Sequence, residues 1–307
     1  MIPIDEVRLD FNPTTLHILN IILGLIVFGV ALDIRVSDFK SLFKSPRPFI
    51  VGAVSQFILF PAIAFVEVYF FHPQPSVALG ILLVGACPGG NISNFMTQHA
   101  GGNVALSIAM SAFSTACATI MTPFNVSFYS SRIEGTKDLM RDLSLNPIDM
   151  FYLIAVLMLV PLIFGMAINN WFPAFAYRLK KIMKVFSLTF FIGFVLFATF
   201  INFKYIGQLK GIASISVILL NILGFTIGYV FARLWGLNLK DSKAVSIETG
   251  IQNSGLGLIL IFNFFDGLGG MAVIAAFWGI WHIIAGLVLS TFWSRRDSFL
   301  TTKSTSI

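Results

Sequence analysis

The chain has 307 residues, 57% of them hydrophobic and only 11% charged, with a net charge of +6 and a mean hydropathy of +0.87. Soluble domains carry about 25% charged residues, so a water-soluble fold is excluded. The twenty basic residues sit in short clusters between apolar runs, a pattern that speaks for orientation in a membrane and against a nucleic-acid partner.

A helix needs about 20 mostly apolar residues to cross a hydrocarbon core about 30 Å thick. Nine such segments follow one another, at about 14–32, 48–71, 76–100, 103–127, 148–169, 185–203, 211–235, 244–265 and 271–293. The expected fold class is therefore an all-α polytopic membrane protein, in contact with lipid along its length and with no separate soluble domain. The N-terminal MIPIDEVRLD places acidic residues where a signal peptide would be basic, so the first segment is expected to be a retained helix. Cys87 and Cys117 both fall inside apolar segments, which leaves neither a disulfide framework nor a CxxC metal site.

With the N-terminus outside, fourteen of the twenty basic residues fall on the cytoplasmic side, including Arg35, Lys40, Lys44 and Arg47 after the first segment and Arg178, Lys180, Lys181 and Lys184 before the sixth. The positive-inside rule then predicts a multi-pass protein of the cell membrane with its C-terminus in the cytoplasm.

Two of the nine segments cannot be ordinary helices. The third contains Cys87-Pro88-Gly89-Gly90-Asn91-Ile92-Ser93-Asn94, and a proline followed by two glycines does not sustain the helical hydrogen-bond ladder. The eighth contains Glu248-Thr249-Gly250-Ile251-Gln252-Asn253-Ser254-Gly255-Leu256-Gly257, with glycines and polar side chains where lipid demands apolar ones. Irregular backbone at membrane depth survives only inside protein or against a water-filled cavity. Paired interruptions in corresponding segments point to an inverted-repeat transporter with its site at the midplane. Segments one to four would repeat as six to nine, with the fifth left over.

Glu248 is expected to be a single buried acid, at an insertion cost of about 2.5–3.5 kcal/mol without a partner, and no basic residue lies within a segment to neutralise it. A cation fits: hard cations take oxygen ligands, and the two interruptions offer Ser93, Asn94, Gln252 and Asn253 side chains with carbonyls around Thr249 and Ile251. Against this stand blander readings: Glu248 reaching the interface beside Lys243, Gln56 as an interhelical hydrogen bond, Ser107 and Ser111 as small-residue packing, and His282 as a helix-packing residue. Neither HExxH nor GxSxG occurs, which disfavours an intramembrane enzyme, and convergence of polar groups at two interruptions of one chain disfavours a channel. Asn125-Val126-Ser127 has the form of a glycosylation sequon, best explained by chance.

The LDIRVSDF stretch at 32–39, CPGGNISN at 87–94, GGNVALSIAMSAFST at 101–115, ETGIQNSGLG at 248–257 and WHIIAG at 281–286 resemble the bile acid:sodium symporter family over nearly the whole chain. The resemblance implies a panel domain, about 14–32 and 148–203, and a core domain, about 48–128 and 211–293, the latter holding two broken, crossing helices within a single transport unit, 1–307. It implies two co-transported sodium ions, one held by Ser93, Asn94, Ser107, Ser111 and Glu248, the other by Gln56, Glu248 and Gln252 with the carbonyls of Thr249 and Ile251. Substrate would be reached by Asn91, Asn253 and His282; Ile283 follows that histidine where several members have asparagine, so the substrate is left open among bile-acid-like anions and small carboxylates. The function implied is sodium-coupled import of an organic anion by a monomer using alternating access, the alternative being a proton-coupled or uncoupled carrier of the same class.

Overall fold

The computed structural model describes residues 5, 13–34, 46–90, 92–143, 147–201 and 211–304. The described residues are helical throughout, and the one pair in β geometry is an isolated antiparallel bridge between Gly89 and Gln252. In chain order the helices are α1 (Pro13–Ala31), α2 (Pro46–Phe71), α3 (Pro75–Ala86), α4 (Ile92–His99), α5 (Val104–Ser130), α6 (Glu134–Asp142), α7 (147–171), α8 (Pro173–Ile201), α9 (Ile212–Leu234), α10 (Leu239–Gly250), α11 (Ser254–Phe264) and α12 (Gly269–Ser304). Five helical stretches are long and apolar enough to cross a membrane: Pro46–Phe71, Val104–Ser130, Ile148–Trp171, Ala213–Leu234 and Gly269–Arg296. Leu16–Ala31, Pro75–Ala86 and Ser254–Phe264 are apolar but shorter.

Helix ends follow local chemistry. Proline opens α3 at Pro75, where its absent N–H costs nothing. Asn103, Asn238 and Asn253 cap α5, α10 and α11 by accepting from the N–H of Leu106, Asp241 and Leu256 at 3.1, 2.9 and 3.0 Å. The Asn238 cap explains a difference from the sequence expectation: α10 begins at Leu239, ahead of the apolar run at 244, and carries Lys243 into the interior at 1% exposure. The short polar helix α6 was also not anticipated; Thr136 anchors it by donating to Ser130 O at 2.6 Å.

Two helices contain a π turn, Ser55–Leu59 in α2 and Ala155–Leu159 in α7. Each is followed at one residue's remove by a proline, Pro61 and Pro161, which has no N–H and whose ring collides with the carbonyl four residues back. Widening the turn relieves that collision. The carbonyl that Pro61 leaves unused, Phe57 O, accepts instead from Asn125 Nδ2 at 3.1 Å. Asn125 is thus a buried structural donor, and its sequon is a coincidence of sequence.

The largest buried cluster joins Phe60 of α2, Leu79 and Leu83 of α3, Leu260 of α11 and Trp278 of α12. Phe60 stacks at a tilt on Trp278, ring centres 6.0 Å apart, and lies where a Cβ on Gly224 of α9 would come within 2.7 Å. Outward-facing Phe70, Phe164, Ile215 and Val288 are each more than half exposed, as surfaces meeting lipid tails must be.

α1, α7 and α8 form a second group of mutually packed helices. Lys180 of α8 pairs with Asp33 beyond the end of α1, and Asn169 Nδ2 donates to Ile34 O at 3.1 Å. This group meets α11 through a reciprocal amide pair: Asn20 Nδ2 donates to Asn263 Oδ1 at 3.1 Å, and Asn263 Nδ2 to Asn20 Oδ1 at 3.0 Å. Interhelical hydrogen bonds in membranes contribute about 0.6 kcal/mol on average and up to about 1.7. A double-mutant cycle of Asn20→Ala and Asn263→Ala, read by unfolding in detergent, should give a coupling energy within that range; additive single effects would show that the pair contributes nothing.

Candidate functional site

Helix α3 ends at Ala86 because Pro88 offers no donor, and the chain resumes as α4 at Ile92; α10 ends at Gly250 and resumes as α11 at Ser254. The two interruptions lie against each other and satisfy each other's backbone. Gly90 N donates to Ile251 O and Asn253 N to Pro88 O, both at 2.8 Å, the hydrogen bonds that frame the Gly89–Gln252 bridge. Five further carbonyls at the breaks have their own donors. Thr122 Oγ1 donates to Ala86 O at 2.8 Å, Gln56 Nε2 to Cys87 O at 3.0 Å, Gln252 Nε2 to Thr249 O at 2.8 Å and Asn221 Nδ2 to Gly250 O at 2.7 Å. Ser254 N donates to Gln252 O at 3.0 Å. These bonds hold the crossing together in a medium where an unpaired backbone group costs several kcal/mol.

Glu248 lies beside the crossing, fully buried on α10. Ser93 of α4 donates to its Oε2 at 2.6 Å, Ser111 of α5 to its Oε1 at 2.7 Å, and Ser107 reaches Oε2 at 3.4 Å. Ser107 and Ser111, one turn apart, also donate to Asn94 Oδ1 at 2.8 and 3.4 Å. Six oxygens from five side chains on three helices therefore converge in one place. The close approach requires Gly89, since a Cβ there would stand 2.2 Å from Glu248 Oε1.

A second polar cluster joins the π turn of α2 to the break in the α10–α11 pair. Gln56 Nε2 donates to Gln252 Oε1 at 2.9 Å, and the Ser55 and Thr249 hydroxyls are 2.9 Å apart, with Thr249 also donating to Val245 O at 2.8 Å. A narrow cleft lined by Gly52, Gln56, Met110, Phe113, Ser114 and Glu248 connects the two clusters. The Thr249 and Ile251 carbonyls, expected as ion ligands, each already accept one hydrogen bond and keep one lone pair free.

The candidate substrate residues are less concentrated. Asn253 stands at the break, its Oδ1 engaged in capping α11, while Asn91 lies outside the described residues. His282 is 3% exposed, its ring edge-on to Trp278 and its Nδ1 without a partner. One turn further along α12, Gly286 faces the side chains of Met96 and Ile251, so His282 shares a helix face with a residue that touches both broken segments.

Several polar groups at the site were not singled out from sequence. Ser55, Thr122 and Asn221 are lone polar residues in apolar runs, and only the carbonyls they serve reveal their purpose. The expectation that no basic side chain enters a span is corrected by Lys243, whose Nζ donates to Ala100 O at 2.8 Å and lies 5.8 Å from the Trp293 ring. Nor is Glu248 the only buried acid, since Glu67 of α2 is 4% exposed.

The model of the Sodium Bile acid symporter family matches residues 20–209. The chain belongs to that family. It is 33% identical over 282 residues, 91% of this chain and 83% of the relative, to an uncharacterized sodium-dependent transporter, YocS, of Bacillus subtilis (strain 168). It is 30% identical over 288 residues, 93% and 69% of the two chains, to a probable sodium/metabolite cotransporter, BASS1, of Arabidopsis thaliana chloroplasts. With the human ileal sodium/bile acid cotransporter it shares 28% identity over 241 residues, 78% and 67% of the two chains. As a member of the sodium bile acid symporter family, the chain is a multi-pass membrane transport protein and not an enzyme.

Overpacking by one methyl group in a filled interior costs about 1–3 kcal/mol. Gly89→Ala should lower the melting temperature of the purified protein by several degrees, because its Cβ meets a carboxylate oxygen. Gly257→Ala, whose Cβ would lie an ordinary 3.6 Å from Cys87 Sγ, should leave that temperature within about a degree of the parent by the same measure.

Proposed function

We propose that this family member imports an organic anion together with two sodium ions, by alternating access around the crossing of the two broken helices. The observation that carries the reading is Glu248: a fully buried acid inside a set of hydroxyl and amide oxygens. Ser93, Asn94, Ser107, Ser111 and Glu248 form the first ion site, their hydroxyl protons turning away as the cation enters. Gln56, Glu248 and Gln252, with the Thr249 and Ile251 carbonyls, form the second. The sodium-dependent and sodium-cotransporting descriptions of its relatives support the choice of cation.

Four helix ends meet at the crossing. The C-termini of α3 and α10 present carbonyls, favouring cations, and the N-termini of α4 and α11 present amides, favouring an anion. Two sodium ions, the Glu248 carboxylate and a substrate carboxylate sum to a neutral load, so neither substrate crosses a low-dielectric region without the other. Asn253 and His282, with Asn91 by the family resemblance, are the residues assigned to the anion. The substrate class is a bile-acid-like or small carboxylic acid.

In this reading the chain makes nine spans, with α3–α4 and α10–α11 each forming one interrupted span, an outer N-terminus and a cytoplasmic C-terminus. Spans one to four are related to six to nine by inversion. α1, α7 and α8 form the panel against which the remaining core helices rock, and one chain is the complete transport unit.

Purified protein should gain thermal stability from sodium chloride relative to choline chloride, and that gain should disappear in Glu248→Ala and shift to at least about tenfold higher sodium, about 1.4 kcal/mol, in Ser111→Ala. In proteoliposomes, uptake of the stabilising carboxylate should require sodium and carry inward current, since one net positive charge per cycle is worth about 2.3 kcal/mol per 100 mV. Uptake that follows a proton gradient and ignores sodium would overturn the reading in favour of a proton-coupled carrier.

A further inference from the structure

Glu67 takes no part in the sodium site. It sits one turn from the end of α2, and the eleven residues separating it from Gln56 put about 16 Å of helix between them at about 1.5 Å per residue. Its side chain is 4% exposed, and neither carboxyl oxygen has a hydrogen-bond partner. Alongside it on α9 is Ser216, 1% exposed, whose hydroxyl is equally unpartnered. The register of the two helices is set two turns away, where Phe60 of α2 fills the space over Gly224 of α9.

α10, with Lys240, Asp241, Lys243 and Glu248, packs on the Pro46–Leu59 part of α2, at least eight residues before Glu67, and the other helices around α2 supply no counter-charge. No residue of α3 titrates apart from the buried Cys87 beyond its end, and at its start Asp5 Oδ1 accepts from Ser76 N at 2.8 Å. On α9, Tyr229 and Arg233 lie at least three turns from Ser216. On α5, Tyr129 packs on Phe65, ring centres 5.2 Å apart, and Cys117 is the other titratable group. α12 reaches α2 through Trp278 on Phe60, with His282 one turn beyond Trp278. On α2 itself Tyr69 is exposed, as is His72 just beyond its end, and Arg47 lies twenty residues from Glu67.

We propose that Glu67 and Ser216 form a proton-binding site between α2 and α9, separate from the sodium site, and that the proton holds these two helices together. A buried ionised carboxylate without a partner is prohibitively costly. One carboxyl and one hydroxyl are too few oxygens to replace the hydration shell of a metal cation, whereas a single proton neutralises the group and gives it a donor for Ser216. Both helices also serve the crossing, α2 through Gln56 and α9 through Asn221. Loss of the proton therefore loosens the frame that carries the second break, and transport becomes sensitive to alkaline pH without any proton being consumed.

The test combines infrared difference spectroscopy with thermal unfolding of the purified protein from mildly acid to alkaline pH. The parent should show a protonated-carboxyl carbonyl band and a melting temperature that falls by several degrees as pH rises. In Glu67→Gln, which mimics the neutral acid, that band should be lost and the melting temperature should no longer follow pH; Glu67→Leu provides the same reading should the glutamine variant fold poorly. A band and a pH response that persist unchanged in both variants overturn the proposal. So does a loss of sodium-dependent stabilisation in Glu67→Gln with the pH response intact, which would make Glu67 a metal-cation ligand. Sodium-dependent stabilisation in the parent is read in the same samples and tests the Glu248 site, so failure of one assignment is distinct from failure of the other.

Discussion

Everything in this architecture follows from one constraint: backbone polar groups released at membrane depth must find partners within the protein. A proline and two glycines end α3 inside the helix bundle and free several carbonyls there. The chain answers with a second interruption placed against the first, so that Gly90 and Asn253 donate across to Ile251 and Pro88. Neither break is stable alone in lipid. Together they form a two-rung bridge that ties α3–α4 to α10–α11 and leaves helix ends of both polarities facing the same small volume.

The side-chain chemistry is built outward from that bridge. The glycines that break the helix are also those that let Glu248 approach, because Gly89 has no Cβ to meet its carboxylate. Thr122, Gln56 and Asn221 each donate to a carbonyl at the crossing, so α5, α2 and α9 are tied to the site they surround. A conformational change that moves the crossing must carry these helices with it. By contrast, α1, α7 and α8 hold to one another through Asp33–Lys180 and Asn169–Ile34 and meet α11 through the exchange of amides between Asn20 and Asn263.

Much of this was legible in the chain because membrane insertion punishes polar and helix-breaking residues so heavily that they stand out. Pro88-Gly89-Gly90 marks where α3 stops, and Glu248 declares itself by its insertion cost. The partners of the freed carbonyls were not legible, since a lone threonine or asparagine in an apolar run reads as ordinary helix packing until the opposing helix is known. Glu67 carries the same insertion cost as Glu248 but sits one turn from the end of its segment, where an acid is readily taken for an interfacial residue. Lys243 was misread for the converse reason: the polar stretch from Leu239 resembles a loop, and only the Asn238 cap converts it into the first turn of a buried helix. Pro61 and Pro161 lie inside apolar runs that read as plain spans, and only the structure shows each absorbed as a wider turn instead of a bend.

That wider turn in α2 changes how the gene can vary here. The π turn at Ser55–Leu59 holds one residue more than an α-helical turn needs, and the wider turn absorbs the surplus without changing the face that the helix presents after it. Deleting a single codon in this stretch would rewind the turn to ordinary α geometry with Phe60 still facing Trp278 and Gly224, but it would return the ring of Pro61 to collision with the carbonyl four residues before it. Insertions and deletions accumulate freely in the connections between helices, yet the length of this interior turn is as constrained as the identity of Gln56 within it.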